Sequence, residues 1–237
     1  KHTQYADFYA TMAAVYVEDA KERAAIPLIN PINEGLSIMR TTLAASMIHA
    51  ISRNQKRGNL EGRLFEMASI FIPKALPLTE YPEEQSVLCV GLFGEKESFF
   101  TLKGIAETVA DTLCLTFNYA RTQKPFLHPY QTAAIICDGE EVGYLGKISY
   151  EIQDKEDMRT SGYIMEMNME KLVKYYANTP TFNPLPKYAE EKRDLALIMS
   201  KEITCGEVEK CIKDSCKMVT DVKLFDVYEG KPIPENK

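Results

Sequence analysis

The sequence lacks several features that would place it in a large functional class at once. No apolar run approaches the roughly 20 residues that a membrane span needs. Its 28 Lys and Arg against 34 Asp and Glu give a net charge of −6 rather than a basic surface, so any contact with nucleic acid depends on local basic patches. Gly-rich phosphate loops, nucleophile elbows, internal repeats and low-complexity segments are also missing. We therefore expect neither a membrane nor DNA among its partners.

Cysteine is present, but not in a pattern that binds metal. The closely spaced Cys205, Cys211 and Cys216 have no CxxC spacing and no nearby histidine, which argues against zinc, and we predict no metal site. Most of the six cysteines lie in apolar strand or helix patterns and nothing resembles a secretory signal, so we interpret them as reduced thiols of a cytoplasmic protein. The chain begins at Lys1 rather than Met, which suggests a piece of a longer protein.

The composition, 45% hydrophobic and 26% charged, is typical of globular domains, and short apolar runs joined by turns dominate its first part. We predict strands over residues 62–73, 86–94 and 161–169, the first of them largely buried because apolar residues occupy both alternate sets. Asp138 and Gly139 predict the turn of a β-hairpin. Strands linked by tight turns favour an antiparallel α+β domain.

Helical spacing of apolar residues appears in three places in the same part of the chain. An amphipathic helix over residues 43–54 has Thr42 as a plausible N-cap and ends before Gly58. A second helix is predicted over residues 105–113, and a short third one over residues 169–177.

Prolines mark a boundary between two domains. Pro180, Pro184 and Pro186 interrupt a stretch without periodicity, which divides the chain into residues 1–180 and residues 181–237.

The pattern beyond the boundary is strand, helix, strand, over residues 194–200, 206–216 and 221–230. A run of this size is half of a split βαβ, ferredoxin-like domain. The helix would turn four apolar side chains inward: Val208, Cys211, Ile212 and Cys216.

Three ordered blocks of residues resemble a known family. They are residues 30–43 with 54–59 (NQKRGN) and 63–66 (RLFE), residues 99–104 (FFTLKG) with 127–129 (LHP), and residues 193–196 (RDLA) with 224–228 (LFDVY) and 230–231 (GK). Together they resemble the β subunit of bacterial-type phenylalanyl-tRNA synthetases, from about Asn30 to the end of the chain. One departure is that the family continues its LHP turn with Gly and Arg, whereas Tyr130 and Gln131 follow here.

The resemblance implies a fold and an assembly. Residues 1–180 would form a non-catalytic core like that of class II aminoacyl-tRNA synthetases, built on an antiparallel sheet. Residues 181–237 would be the first part of a ferredoxin-fold anticodon-binding domain. The implied partners are a catalytic α subunit, in an α2β2 assembly, and phenylalanine tRNA.

Catalysis is where the residues depart from an active synthetase. Class II sites hold ATP with arginines, whose rigid guanidinium fork pairs with phosphate oxygens, but residues 65–67 and 163–172 contain none at the places that the resemblance assigns to two catalytic motifs. We expect no catalytic residue here and no activity of this chain alone. ATP and magnesium would be bound at the level of the holoenzyme, by the partner, and not by this chain.

Arg40, Arg63 and Glu66 are candidates for contact with the α subunit, although an arginine and a glutamate on buried elements more often form a structural ion pair.

The candidates for tRNA contact lie in two basic stretches. Arg53, Lys56 and Arg57 end the first helix, where solvated cations are the commoner explanation. Lys192 and Arg193 open the second domain. His128 has no matching carboxylate or nucleophile motif, so a turn histidine fits it better than a general base.

Two other functions stay open on the sequence alone. The core could bind ATP or an amino acid by itself, or the chain could be a stand-alone RNA-binding or regulatory module with a synthetase-like fold.

Overall fold

The structure is a computed structural model that describes residues 23–31, 37–176, 182, 184, 187–228 and 230. The chain divides into two compact units, Lys1–Pro180 and Thr181–Lys237. The first 22 residues, residues 32–36, Pro180 and Pro186 lie outside the described residues.

The first unit is built on a six-stranded antiparallel sheet with the order β3-β4-β8-β7-β6-β5. A separate antiparallel pair, β1 with β2, precedes it. The strands are β1 Ile26–Pro27, β2 Ile38–Met39, β3 Gly62–Ile72, β4 Glu83–Phe93, β5 Phe117–Arg121, β6 Leu127–Cys137, β7 Glu140–Ile148 and β8 Gly162–Asn168. The predicted antiparallel α+β domain is confirmed in this unit.

Helices cover both faces of the sheet because successive strand residues point to opposite sides. Helix α1 packs its apolar side on one face of the sheet, against Val87, Cys89 and Ile164. Helix α2 packs on the opposite face, among Val90 and Met165. The helices of this unit are α1 Ala44–Lys56, α2 Phe99–Thr112, α3 Tyr150–Lys155 and α4 Met169–Tyr175.

The predicted hairpin between β6 and β7 is confirmed. Asp138 and Gly139 have φ values of 48° and 81°, and two consecutive residues with positive φ form the type of two-residue turn that matches the twist of paired strands. The short helix α4 was also predicted correctly.

Helix α1 agrees with its prediction except at its first residue. The helix ends at Lys56 and Gly58 has a positive φ of 93°, so glycine ends it as expected. Leu43, not Thr42, occupies the N-cap position, and it caps the helix with no side-chain hydrogen bond.

Two other predictions for the first unit were wrong. Helix α2 begins at Phe99 rather than near Ile105, because the Ser98 hydroxyl accepts a hydrogen bond from the Thr101 N–H and caps the helix there. Strand β3 is not largely buried: Phe65 is 78% and Met67 63% exposed. The strand lies at the edge of the sheet, where helix α2 does not cover its outward face.

The second unit contains helix α5, Cys205–Ser215, and no strand among its described residues. A capping box begins the helix, with Thr204 accepting from the Glu207 N–H and the Glu207 carboxylate accepting from the Thr204 N–H. The strands predicted over residues 194–200 and 221–230 do not form at residues 194–200 and 221–228, since an extended segment becomes a strand only by pairing with another, and residue 229 lies outside the described residues. The expected inward side of the helix is also wrong, because none of its residues is buried.

Among the described residues, no helix has the length and apolar character that crossing a membrane requires.

Candidate functional site

A row of polar side chains crosses four strands of the sheet on the face that carries α1. Glu66 of β3 lies opposite Cys89 of β4, Cys89 opposite Glu166 of β8, and Glu166 opposite Tyr144 of β7. Residues paired across antiparallel strands point to the same face. The register therefore brings together the two regions, residues 65–67 and 163–172, in which the sequence analysis noted missing arginines.

Glu166 is a buried carboxylate within this cross-sheet row, 8% exposed, and the sequence pattern did not reveal it as a site residue. Its carboxylate accepts from the Thr42 hydroxyl at 3.0 and 3.1 Å, from the Leu43 N–H at 2.8 Å and from the Tyr144 hydroxyl. The Thr42 oxygen in turn accepts from the Ala44 N–H at 3.1 Å. Two of the first backbone donors of α1 are thus satisfied, and the negative charge lies at the positive end of the helix.

Burial and hydrogen bonding act in opposite directions on Glu166. Removal from water raises the pKa of its carboxyl, while the donors from Tyr144, Leu43 and Thr42 lower it, and burial prevails. A polar residue inside an apolar alternating strand was the only signal in the sequence. Its partners at the start of α1, Thr42 and Leu43, are more than a hundred residues away in the sequence. The pattern of β8 alone therefore does not reveal them.

Arg40 and Glu66 form the ion pair that the sequence analysis considered, with Nη1 and Oε1 2.7 Å apart and both side chains partly exposed. The Arg40 carbonyl accepts from the Phe71 N–H at 2.7 Å, which holds Arg40 beside the edge strand. Cys89 lies between the two glutamates, and burial above all, with the nearby carboxylates, raises the pKa of its thiol. The thiol is therefore neutral and a poor nucleophile.

Arg63 does not join Arg40 and Glu66. Alternation along β3 points it to the other face, where its Nε lies 2.8 Å from Oε1 of Glu97. It shares that face with the exposed side chains of Phe65 and Met67. The three candidates for contact with an α subunit thus divide into a pair on the α1 face and one arginine on the opposite face.

The basic C-terminal end of α1 is anchored by hydrogen bonds of Gln55. Gln55 is buried and accepts from the N–H groups of Arg159 and Thr160 at 2.6 and 3.0 Å. The predicted tRNA-contact residues Arg53, Lys56 and Arg57 are exposed around it, and no carboxylate among the described residues pairs with them. Three exposed cations thus lie at an anchored helix end on the surface of the first unit.

Lys192 and Arg193 are exposed in an irregular segment of the second unit rather than at the start of a strand. Arg193 pairs with the neighbouring Glu191. An ion pair so exposed contributes little to stability, and it leaves the guanidinium accessible to another anion.

Chemically, the charged side chains of this arrangement are paired with other groups of the chain. No group of three or more His, Cys, Asp and Glu side chains that could hold a metal ion occurs in the described part of the chain. In the cross-sheet row each carboxylate already has its donors, and Arg40 is paired with Glu66.

Comparison with known proteins gives a family match in each unit. Residues 5–169 match the family described as phenylalanyl tRNA synthetase beta chain CLM domain, and residues 186–237 match the ferredoxin-fold anticodon binding domain. The phenylalanine–tRNA ligase beta subunit of Clostridium tetani is 37% identical over 223 residues, 93% of this chain and 28% of that protein. The beta subunit of Thermotoga maritima is 30% identical over 222 residues, 91% of this chain and again 28% of that protein.

A solved structure shows a similar fold. Pyrrolysyl-tRNA synthetase from Desulfitobacterium hafniense superposes with a TM-score of 0.52 at 14% sequence identity, over 71% of this chain and 58% of that one. The chain spans about 28% of the length of the curated relatives it matches. The two family matches and these relatives confirm the resemblance seen in the sequence: the chain belongs to the family of phenylalanyl-tRNA synthetase β subunits.

Proposed function

We propose that this chain is a non-catalytic part of a phenylalanyl-tRNA synthetase β subunit in the cytoplasm. Its first unit is a class II-like core that packs on a catalytic α subunit in an α2β2 assembly. Its second unit helps to bind phenylalanine tRNA. The holoenzyme charges the tRNA, and the α subunit binds ATP and magnesium.

The observation that carries the non-catalytic role is the cross-sheet row. Arginines would hold a triphosphate in a class II site, but the row presents Glu66 and Glu166. Arg40, which lies beside the row, is paired with Glu66. Helix α1 covers Glu166 and donates its Leu43 N–H to the carboxylate. These side chains do not fit a triphosphate, because two carboxylates would repel it.

The outward face of β3 supports the proposed packing on the α subunit. Phe65 and Met67 are exposed there beside the partly buried Leu88, and exposed neighbouring apolar side chains often mark contact surfaces. Arg63 lies on the same face at the rim. We therefore assign Arg63 to the subunit interface, and Arg40 with Glu66 to a structural role.

Packing on the α subunit is tested by co-purification. We expect the full-length protein to co-purify with a catalytic α subunit, and Phe65→Ser with Met67→Ser to weaken that association. Tyr81→Ser, which changes an exposed residue away from β3, is the control. If the full-length protein purifies without any α subunit, the stand-alone RNA-binding or regulatory module becomes the better hypothesis.

Contact with tRNA is tested at the basic end of α1. Replacing Arg53, Lys56 and Arg57 with Gln should weaken the binding of phenylalanine tRNA. The plot of the logarithm of the binding constant against the logarithm of salt concentration should also become shallower by about 2, since each lost phosphate contact reduces the slope by roughly 0.7–0.9. The same experiment on Lys192 and Arg193 tests the second unit. An unchanged slope for both sets would contradict the assignment.

The absence of ATP binding is tested by titration calorimetry of this chain with ATP. We expect no saturable heat. Saturable binding that is lost in Arg40→Ala or Arg63→Ala would instead show that the core binds ATP without the α subunit. Aminoacylation of phenylalanine tRNA should require both subunits.

A further inference from the structure

Strand β6 contains a bulge near its beginning, opposite β7. Leu127 pairs with Ile148 and Thr132 pairs with Gly146. Between these two pairs β6 has four residues where β7 has one. Such an insertion bends the strand and redirects the side chains of the extra residues.

The bulge is fixed by its surroundings. A Cβ on Gly146 would lie 2.8 Å from the carbonyl oxygen of Gln131 and 2.9 Å from Oγ1 of Thr132, so β7 has glycine where the bulge approaches it. The Thr132 hydroxyl donates to the His128 carbonyl at 2.6 Å. Pro129 has no N–H, so the bulge does not leave an unpaired backbone donor at this position.

Three aromatic rings meet on the surface around the bulge. The ring of His128 lies 6.0 Å from that of Tyr130 and 5.5 Å from that of Tyr150, centroid to centroid. Tyr130 is 91% exposed and Tyr150 58%. The bulge thus presents an aromatic surface to solvent.

A lysine lies against this aromatic surface. Lys147 is the β7 residue opposite the bulge, and it is only 8% exposed. Its Nζ lies 4.6 Å from the ring centroid of Tyr150 and 3.1 Å from the Tyr150 hydroxyl. No carboxylate of the described residues lies within ion-pair distance of Lys147. A positive charge is therefore held beside the rings without a counter-ion from those residues.

We propose that His128, Tyr130, Lys147 and Tyr150 form a stacking platform for an unpaired nucleotide of tRNA. The base stacks on Tyr130, and Lys147 attracts the adjacent phosphate. Aromatic faces beside a cation bind unpaired nucleotides without regard to sequence. This inference rests on the proposed function, since tRNA is the ligand.

Two properties of the platform favour an unpaired RNA nucleotide over other ligands. ATP also carries a base and phosphates, but a single lysine is a poor match for a triphosphate. A protein partner could also contact exposed tyrosines, but lysine is depleted in protein interfaces, whereas a cation beside aromatic rings suits a base and its phosphate.

The test uses the full-length β subunit carrying this chain, assembled with its α subunit, and fluorescently labelled phenylalanine tRNA. We expect Tyr130→Ala to weaken tRNA binding roughly fivefold or more, the effect of losing one stacked base. Tyr130→Phe should keep the wild-type affinity because it keeps the ring. Tyr81→Ala, which removes an equally exposed tyrosine elsewhere in the first unit, is the matched control.

Each other outcome overturns the inference. If Tyr130→Ala leaves tRNA affinity unchanged while the basic variants of α1 weaken it, the platform is wrong but the proposed function stands. If the wild-type assembly does not bind tRNA, both fail. If Tyr130→Ala releases the α subunit, the surface is a protein contact. If Tyr130→Ala abolishes ATP binding and leaves tRNA binding unchanged, the base that stacks on Tyr130 is the adenine of ATP.

Discussion

Removing the Glu166 carboxylate should weaken the attachment of α1 to the sheet. In Glu166→Ala, the donors Thr42, Leu43 and Tyr144 lose their shared acceptor. A hydrogen bond to a charged group contributes about 1.5–3 kcal/mol, and the cost of burying the charge offsets part of that sum. We expect a net loss of about 3 kcal/mol in the free energy of unfolding.

Glu166→Gln keeps the shape but removes the charge, so its effect depends on pH. Burial raises the pKa of Glu166 above its ordinary value of 4.5, so the folded protein holds this proton more tightly than the unfolded chain does. The resulting stability is fully present below the ordinary pKa and is lost as the pH rises through the folded value. The deficit of Glu166→Gln relative to wild type should therefore be largest in acid and shrink as the pH rises.

Urea unfolding followed by far-UV circular dichroism, from about pH 4.5 to pH 8, measures both effects. The Gln variant is the matched control for the Ala variant, since both remove the charge and only one removes the side chain. A loss below about 1 kcal/mol in Glu166→Ala, or a deficit of the Gln variant that widens with rising pH, would refute the reasoning.

Three further predictions concern the rest of the chain. Gly143→Ala should cost about 3 kcal/mol or more in urea unfolding, because its Cβ would lie 2.3 Å from a backbone oxygen of β8, whereas Gly104→Ala, in open space on α2, should gain about 0.5–1 kcal/mol. Ellman's reagent should modify Cys89 and Cys137 only on unfolding, since burial raises the pKa of both thiols. Four cysteines should react in the native state: Cys114, Cys205, Cys211 and Cys216. A hydrogen bond from Tyr175, then one from Lys171, lowers the pKa of Glu140 to about 2, so Glu140→Gln should lose less stability than wild type as the pH falls from about 4.5 to 2 in acid unfolding.

Features set by neighbouring residues were predictable from the sequence. The turn at Asp138 and Gly139 and the end of α1 at Gly58 depend on the conformations of a few residues, and both predictions were confirmed. The start of α2 could also have been found, because Ser98 is a favourable N-cap directly before the helix.

Features set by distant partners were not predictable. The apolar residues of β3 suggested burial on both faces, but its position at the edge of the sheet leaves Phe65 and Met67 exposed. The extended segments of the second unit have strand-like composition without pairing. Glu166 is recognisable as a site residue only from the strand register, which places it beside Tyr144 and the start of α1. Strand pairing and sheet order are relations between segments, which no single segment encodes.

The cross-sheet row also determines how a defect in this protein would be recognised in a cell. The carboxylates of Glu66 and Glu166 are satisfied by groups of the chain itself, so substituting them should lower the population of folded protein. A loss of a few kcal/mol is enough to lower protein abundance severalfold. Such a mutation would be recognised by a smaller amount of the protein at raised temperature, and raising expression would relieve it.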